Sequence, residues 1–227
     1  MHRQFEEELE QLKQTILAMA GLVEKSLADA AAALVHQDVE LAEAVIARDD
    51  EVDRLEIEID RLATEFIARH QPTATDLRFV IVAIKLGPEL ERIADDAVNV
   101  AHRVRHLAKL PLLKPLIDLP RMLALAHAMV SDAITAYVKR DPAAAREIIR
   151  RDDEVDTLYW QVFRELLTYM MEDPSSISRA IDLILVARFI ERIADQATNI
   201  AEEVVYLVEA VPIRHRHDEP EKSPVGE

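Results

Sequence analysis

Glu91-Arg92-Ile93-Ala94-Asp95 and Glu191-Arg192-Ile193-Ala194-Asp195 are the same five residues at two places in one chain, and each is followed one helical turn later by an asparagine, Asn99 or Asn199. On a helix, residues four apart have Cβ atoms about 5 to 6 Å from each other. Glu and Asp at that spacing present two carboxylates on one face, which can bridge a single hard cation or two adjacent ones. A second acidic segment is repeated as faithfully: Arg48-Asp49-Asp50-Glu51-Val52-Asp53 returns unchanged as Arg151-Asp152-Asp153-Glu154-Val155-Asp156.

The elements that must position these carboxylates are helices. Val52, Leu55, Ile59, Leu62 and Phe66 alternate spacings of three and four, the pattern of a core seam. Asp49, Asp53, Glu56 and Asp60 form a stripe about 120° around the helix from that seam. On the next helix Leu90, Ala97, Ala101 and Val104 mark the buried side, and Glu91, Asp95 and His102 again sit about 120° away, with Asn99 nearby. Two such stripes on neighbouring helices would face each other across a groove. One reading is a solvated surface, its charges paired with Arg48, Arg54 and Arg92. The other is a cation site. Four like charges per copy repel one another unless something positive lies between them, and their retention in both copies favours the cation. All-oxygen donors select hard ions. No Glu-x-x-His occurs in the chain, so the ligand pattern of four-helix di-iron proteins is absent.

The duplication extends well beyond the motifs. Met19, Asp29, Ala30, Val35 and Asp38 correspond to Met122, Asp132, Ala133, Val138 and Asp141 in the same register as the Asp49 and Asp152 segments. The second copy is three residues shorter before its ERIAD segment, and Pro72 and Pro174 mark the turn where that length change falls. Each copy divides into three helices, about 3–36, 38–70 and 74–108, then about 118–140, 142–172 and 175–210. Asp141-Pro142 predicts an N-cap followed by proline in the first turn, and Ser175 or Ser176 a cap for the last helix. The expectation is an all-α protein of two tandem three-helix bundles, 1–108 and 118–211, joined by a proline-rich linker at 109–117 and followed by a disordered tail at 212–227. Three glycines in 227 residues and long Ala-, Leu-, Glu- and Arg-rich tracts fit that fold class. Spectrin-like bundles share the outline, so the fold alone does not specify a function.

Forty-three acidic residues against 27 basic ones give a formal net charge of -16. Such a surface repels nucleic acid and anionic lipid and attracts cations and basic protein surfaces. The chain has no cysteine, so disulfides and thiolate metal sites are excluded. The amino terminus lacks the order of a signal peptide and no apolar run is long enough to span a bilayer, which predicts a cytoplasmic protein.

Paired R-D-D-E-V-D and E-R-I-A-D segments at this spacing, with the closing Ala201-Glu202-Glu203-Val204-Val205-Tyr206-Leu207, resemble the PhoU family of bacterial phosphate-signalling proteins from about Phe5 to Val211. The resemblance implies two similar three-helix bundles carrying E(D)-x-x-x-D motifs on the second and third helix of each. It implies metal ligands at Asp49, Asp53, Glu91 and Asp95 in the first bundle and at Asp152, Asp156, Glu191 and Asp195 in the second. The implied ions are iron, zinc or other metals such as manganese, magnesium or nickel, as single ions or multinuclear clusters. It further implies a negative regulator of the phosphate-starvation response without catalytic residues. Its partners would be the ATPase subunit of the high-affinity phosphate ABC transporter and the sensor histidine kinase of the phosphate two-component system, with a homodimer also compatible. A metal-dependent enzyme using the same carboxylates and an accessory protein of a low-affinity phosphate carrier are the alternatives. The chain departs from the family where Asp96 and Gln196 stand in place of a histidine after the motif Asp, and where Gly87-Pro88, predicted to kink the third helix, replaces Ala187-Arg188. The end of the last helix, around Glu209-Ala210, lacks the family's glycine.

Among the remaining polar residues, Asn99 and Asn199 could add a carbonyl oxygen to the sites or bond a neighbouring helix. His102 could be an additional ligand in one site only, since Glu202 occupies its place in the second copy. His36, His70, His106 and His127 share no spacing, and His215 and His217 fall in the tail. Tyr159, Trp160 and Phe163 are expected to pack between helices. Neither a phosphate-binding glycine loop nor a nucleophile elbow is present.

Overall fold

A computed structural model describes residues 2–213. They form α1 (His2–His36), α2 (Val39–His70), α3 (Ala74–Leu107), α4 (Asp118–Lys139), α5 (Pro142–Glu172) and α6 (Ile177–Glu209), with a single 3₁₀ turn at Pro174–Ser176. These boundaries fall within about two residues of those predicted from periodicity and turn residues. The expected tail lies almost wholly outside the described residues.

Each helix is built around an apolar stripe. In α1 the side chains of Leu12, Ile16, Met19, Val23, Leu27, Ala30 and Leu34 are buried at spacings of three and four. Local chemistry sets the ends. Asp38 starts α2 by accepting from the Leu41 amide at 3.0 Å, and Asp141 starts α5 by accepting from the amides of Ala143 and Ala144, both at 3.0 Å, with Pro142 in the first turn. Residues of positive φ end four helices: Gln37 after α1, Gln71 after α2, Arg140 after α4 and Ala210 after α6. The predicted serine cap of α6 is not realised. The Asp173 carboxylate instead accepts from the Ser175 amide at 2.9 Å, and the Ser176 hydroxyl donates to the Tyr169 carbonyl.

Helices α1 to α3 form one three-helix half and α4 to α6 the other, as the duplication predicts. The halves are not separate beads. Helices α3 and α6 pack against each other, α1 also meets α4, and the buried residues of both halves belong to one continuous apolar core. The segment between the halves lies on that core through Leu113 and Leu116, and Lys114 pairs with Glu165 and, at 3.8 Å, with Asp118.

Cross-helix pairs show how α3 and α6 run. Lys85 binds Glu203, Glu89 accepts from Asn199, Arg192 faces Asp96, and Arg103 and His106 bind Asp182. Residue numbers fall along α6 as they rise along α3, so the helices are antiparallel and cross near the two ERIAD segments. Charge is buried along these helices: Glu89, Asp182, Glu202 and Glu203 are 6 %, 5 %, 6 % and 3 % exposed, and Asp96 is 0 % exposed.

Helix α3 runs unbroken through Gly87-Pro88. A Cβ added at Gly87 would meet Glu56 Cγ at 3.4 Å and Ile59 Cγ2 at 3.9 Å, ordinary contact distances. The second half carries Ala187 at the equivalent place. Gly87→Ala should therefore raise stability by about 0.5 to 1 kcal/mol through its better helix propensity. Asp141→Ala, which removes the N-cap of α5, should lower it by about 1 kcal/mol. Urea denaturation of the two variants, with unchanged slope, checks both signs.

Candidate metal sites in two acidic grooves

The stripes inferred from spacing do face each other. In the first groove, burial is the main cause that pushes Asp49 up from 3.8 to about 6, and the charges of Asp95 on α3 and of Asp53 and Asp50 on α2 add to it. Glu91 is pushed up to about 7 by burial and then by Asp95, Glu56 and Asp53, with Arg92 pulling it back. Asp95 is raised by burial and by Asp53. Carboxylates of both helices thus share one local field.

The second groove repeats the arrangement between α5 and α6. Asp152 is pushed up to about 7 by burial, then by Asp195, Asp156, Glu191 and Asp153. Glu191 and Asp195 are raised by burial first; Asp195 then acts on Glu191, Asp156 acts on both, and Arg188 opposes the rise at both. Asp53 and Asp95 are the exposed members of the first set and Asp156 that of the second.

Both grooves bury carboxylate oxygens. Asp49 Oδ1, Asp152 Oδ1 and Glu191 Oε2 are buried and have no hydrogen-bond partner. Buried acceptors without donors are costly, and a hard cation is the partner such oxygens suit. The donor set therefore fits a metal ion. As the side chains stand, no three or more His, Asp or Glu among the described residues converge into a cluster that would hold one.

The arginines considered as neutralisers are largely committed elsewhere. Arg48 turns to α1, donating to Ser26 Oγ at 3.0 Å and Asp29 Oδ2 at 2.6 Å, and Arg151 binds Asp132 in the same way at 2.5 Å. Arg54 donates to the Asp50 carbonyl. Arg92 binds Glu89 at 3.3 Å and reaches the groove only through its field.

The asparagines turn toward the α3–α6 seam. Asn199 Nδ2 donates to Glu89 Oε2 at 3.1 Å, and Asn99 lies beside Asp96, countering the rise that burial imposes on that carboxyl, to about 6. Of the two roles weighed for them, bonding a neighbouring helix is the one Asn199 performs. His102 is exposed on α3, while its counterpart Glu202 is buried. Two further residues belong to the site. Glu56, already on the predicted stripe, adds its charge to Glu91. Arg188 binds Glu191, a contact that its position three residues earlier on the same helix would have indicated.

The expected placement of Trp160 between helices is not borne out. The ring lies on the outside of α5, because residue 160 stands opposite the buried seam of Val155, Leu158, Val162 and Leu166.

No helix among the described residues is long and apolar enough to cross a membrane. The chain matches the PhoU domain over residues 16–104 and again over 119–204. A phosphate-specific transport system accessory protein PhoU homolog from Aquifex aeolicus is 44% identical over 92% of this chain and 95% of its own length. The homolog from Zymomonas mobilis is 45% identical over 89% of this chain and 85% of its own. The crystal structure of PhoU from Pseudomonas aeruginosa superposes with a TM-score of 0.89 at 40% identity, covering 91% of this chain and all of that one. That of the phosphate transport system regulatory protein PhoU from Streptococcus pneumoniae gives 0.84 at 28% identity, covering 92% and 98%. Duplicated helical halves, paired acidic grooves and similarity along nearly the whole chain lead to one conclusion: the protein belongs to the PhoU family of phosphate-transport accessory and regulatory proteins.

Proposed function

We propose that this protein is a non-enzymatic adaptor that restrains the phosphate-starvation response when phosphate is plentiful. It contacts the ATPase subunit of the phosphate ABC transporter and the sensor histidine kinase, and it binds metal ions in its two acidic grooves. The observation that carries this reading is the preservation of the carboxylate pairs in both halves, with buried, unpartnered oxygens in each, in a chain of this family. Asp49, Asp53, Glu91 and Asp95 would hold metal in the first groove, and Asp152, Asp156, Glu191 and Asp195 in the second. A bound ion supplies positive charge that neutralises the carboxylates and fixes α2 to α3 and α5 to α6. The carboxylates themselves set the shape of the surface that partners meet, and ion binding biases that shape.

Three results test this. The folded-state values of Asp49, Glu91 and Asp152, about 6, 7 and 7, lie above their ordinary values of 3.8, 4.5 and 3.8. The metal-free folded chain then binds more protons than the unfolded chain between those limits. Stability supplied by the protonated carboxyls is complete below the ordinary values and is lost as pH rises through the folded ones. Chelator-treated protein should melt at a higher temperature at pH 5 than at pH 7.5, and Asp152→Asn should reduce the difference by raising stability at pH 7.5.

Adding manganese or zinc at pH 7.5 should raise the melting temperature of the wild type, because the ion binds the folded form. It should leave Asp95→Asn/Asp195→Asn nearly unchanged. An equal shift in both proteins would place the ion elsewhere.

In cells, deletion of the gene should raise alkaline phosphatase activity in phosphate-rich medium, and the wild-type gene should silence it. The double Asn variant should silence it less. Unchanged low activity in the deletion would overturn the regulatory reading.

A further inference from the structure

The only tryptophan of the chain stands on the outer face of α5. Trp160 is 53 % exposed, Leu167 43 % and Met171 78 %. The spacing of 160, 163, 167 and 171 places Phe163 on the same side of the helix. Three rings support one another there: Tyr159 meets Trp160 edge-on at 5.3 Å, Trp160 meets Phe163 edge-on at 5.7 Å, and Tyr159 lies 6.5 Å from Phe163. The result is a continuous apolar and aromatic stripe over three turns of a solvent-facing helix.

The duplication shows that the fold does not require it. Tyr159, Trp160, Phe163, Leu167 and Met171 correspond to Glu56, Ile57, Asp60, Thr64 and Ala68 in α2. Helix α2 holds the same place in the first half, and its exposed large apolar residues, Val39 and Ile57, stand five turns apart and form no patch. An extended apolar patch on one copy only is the mark of a surface that another molecule covers.

We propose that this face docks a basic, amphipathic helical segment of a partner protein. The inference rests on the adaptor reading, in that the chain acts through protein partners, but needs no metal. Charge selects the occupant. Residues 152 to 176 contain seven carboxylates and one basic residue, Arg164. With Asp152 and Asp156 set aside as candidate ligands, and with Glu154 and Glu165 paired to Arg121 and Lys114, Asp153 still lies at one end of the stripe and Glu172 and Asp173 at the other. A second copy of this chain would bring the same acidic border, and anionic lipid is repelled by it. A helix with leucines on one side and lysines or arginines at its margins meets both features, its cations reaching the carboxylates or the Trp160 and Tyr159 ring faces.

Trp160 is also the reporter. Titrating the full chain with a synthetic amphipathic Leu/Lys helical peptide should shift its emission to the blue, and the shift should weaken with added salt. Leu167→Ser/Met171→Ser, which keeps the tryptophan, should weaken binding by about tenfold or more, and Ile57→Ser in the first half should not. Trp160→Ser, followed by calorimetry, should show the same loss, with circular dichroism melting curves confirming that each variant is folded. Several outcomes overturn the proposal: no shift with the peptide, an equal shift with a Leu/Glu peptide, or an undiminished shift in Leu167→Ser/Met171→Ser. So do a blue shift with phosphatidylcholine vesicles in place of the peptide, which marks a lipid surface, and one that follows protein concentration alone, which marks a second copy. Any of these, with alkaline phosphatase still repressed by the wild-type gene, removes the docking face and leaves the adaptor reading intact. Loss of that repression is a separate failure, of the adaptor reading itself.

Discussion

The antiparallel packing of α3 on α6 is the constraint on which the rest of the structure depends. These two helices are the inner walls of both halves, and their opposite sides carry Glu91 and Asp95 on one and Glu191 and Asp195 on the other. Both helices are buried over most of their length, and alanines at 94, 97 and 101, and at 187, 194, 197 and 201, are among the small residues that line their buried sides. The contact between α3 and α6 itself is marked by cross-helix polar pairs. Lys85 with Glu203 and Arg103 with Asp182 sit toward opposite ends of α3, related by the approximate two-fold symmetry of the duplication. Such pairs specify register more than they add stability, since desolvation offsets much of their attraction. Register is what the grooves need: a slip of α3 along α6 would tilt each half and change the alignment of α2 with α3 and α5 with α6.

The grooves then follow from a conflict. Packing brings α2 to α3 and α5 to α6 through apolar seams, and the carboxylates at the edges of those seams are partly desolvated on both sides. Burial is the largest influence on Asp49, Glu91, Asp95, Asp152, Glu191 and Asp195, raising each of them more than any neighbouring charge does. A chain selected for stability alone would replace such groups with neutral ones. Their presence twice, with arginines such as Arg48 and Arg151 diverted to Asp29 and Asp132, marks a surface kept electrostatically unsatisfied.

Much of this was legible in the residues themselves. Spacings of three and four located six helices, the repeated R-D-D-E-V-D and E-R-I-A-D segments located the halves, and angular position placed the acidic stripes beside the seams. What spacing within one bundle could not show was the contact between bundles. Asp96, Asp182, Glu202 and Glu203 lie on the side of α3 or α6 that would be solvated in an isolated half, so their burial is a property of the pair. The direction of Asn199 toward Glu89 has the same origin. The error over Trp160 is of another kind. Its position relative to Val155, Leu158 and Val162 already pointed outward, and the expectation of packing rested on residue type where periodicity was the stronger signal.

The two halves have diverged at equivalent positions, and the substitutions are correlated. In the first half the stripe continues past Asp49 and Asp53 to Glu56 and Asp60; in the second it continues past Asp152 and Asp156 to Tyr159 and Phe163. The first groove therefore has an additional carboxylate acting on Glu91, and Pro88 stands where the second has Arg188, so Glu91 lacks the partner that Glu191 possesses. The second groove is partly neutralised from within and ends in rings. The first groove holds more negative charge with less competition for it, whereas the second joins its acidic face to an apolar one on the same helix. The two halves thus present a charge-dense groove on one side and a mixed acidic and aromatic surface on the other. The shared α3–α6 seam and the continuous apolar core make them one body.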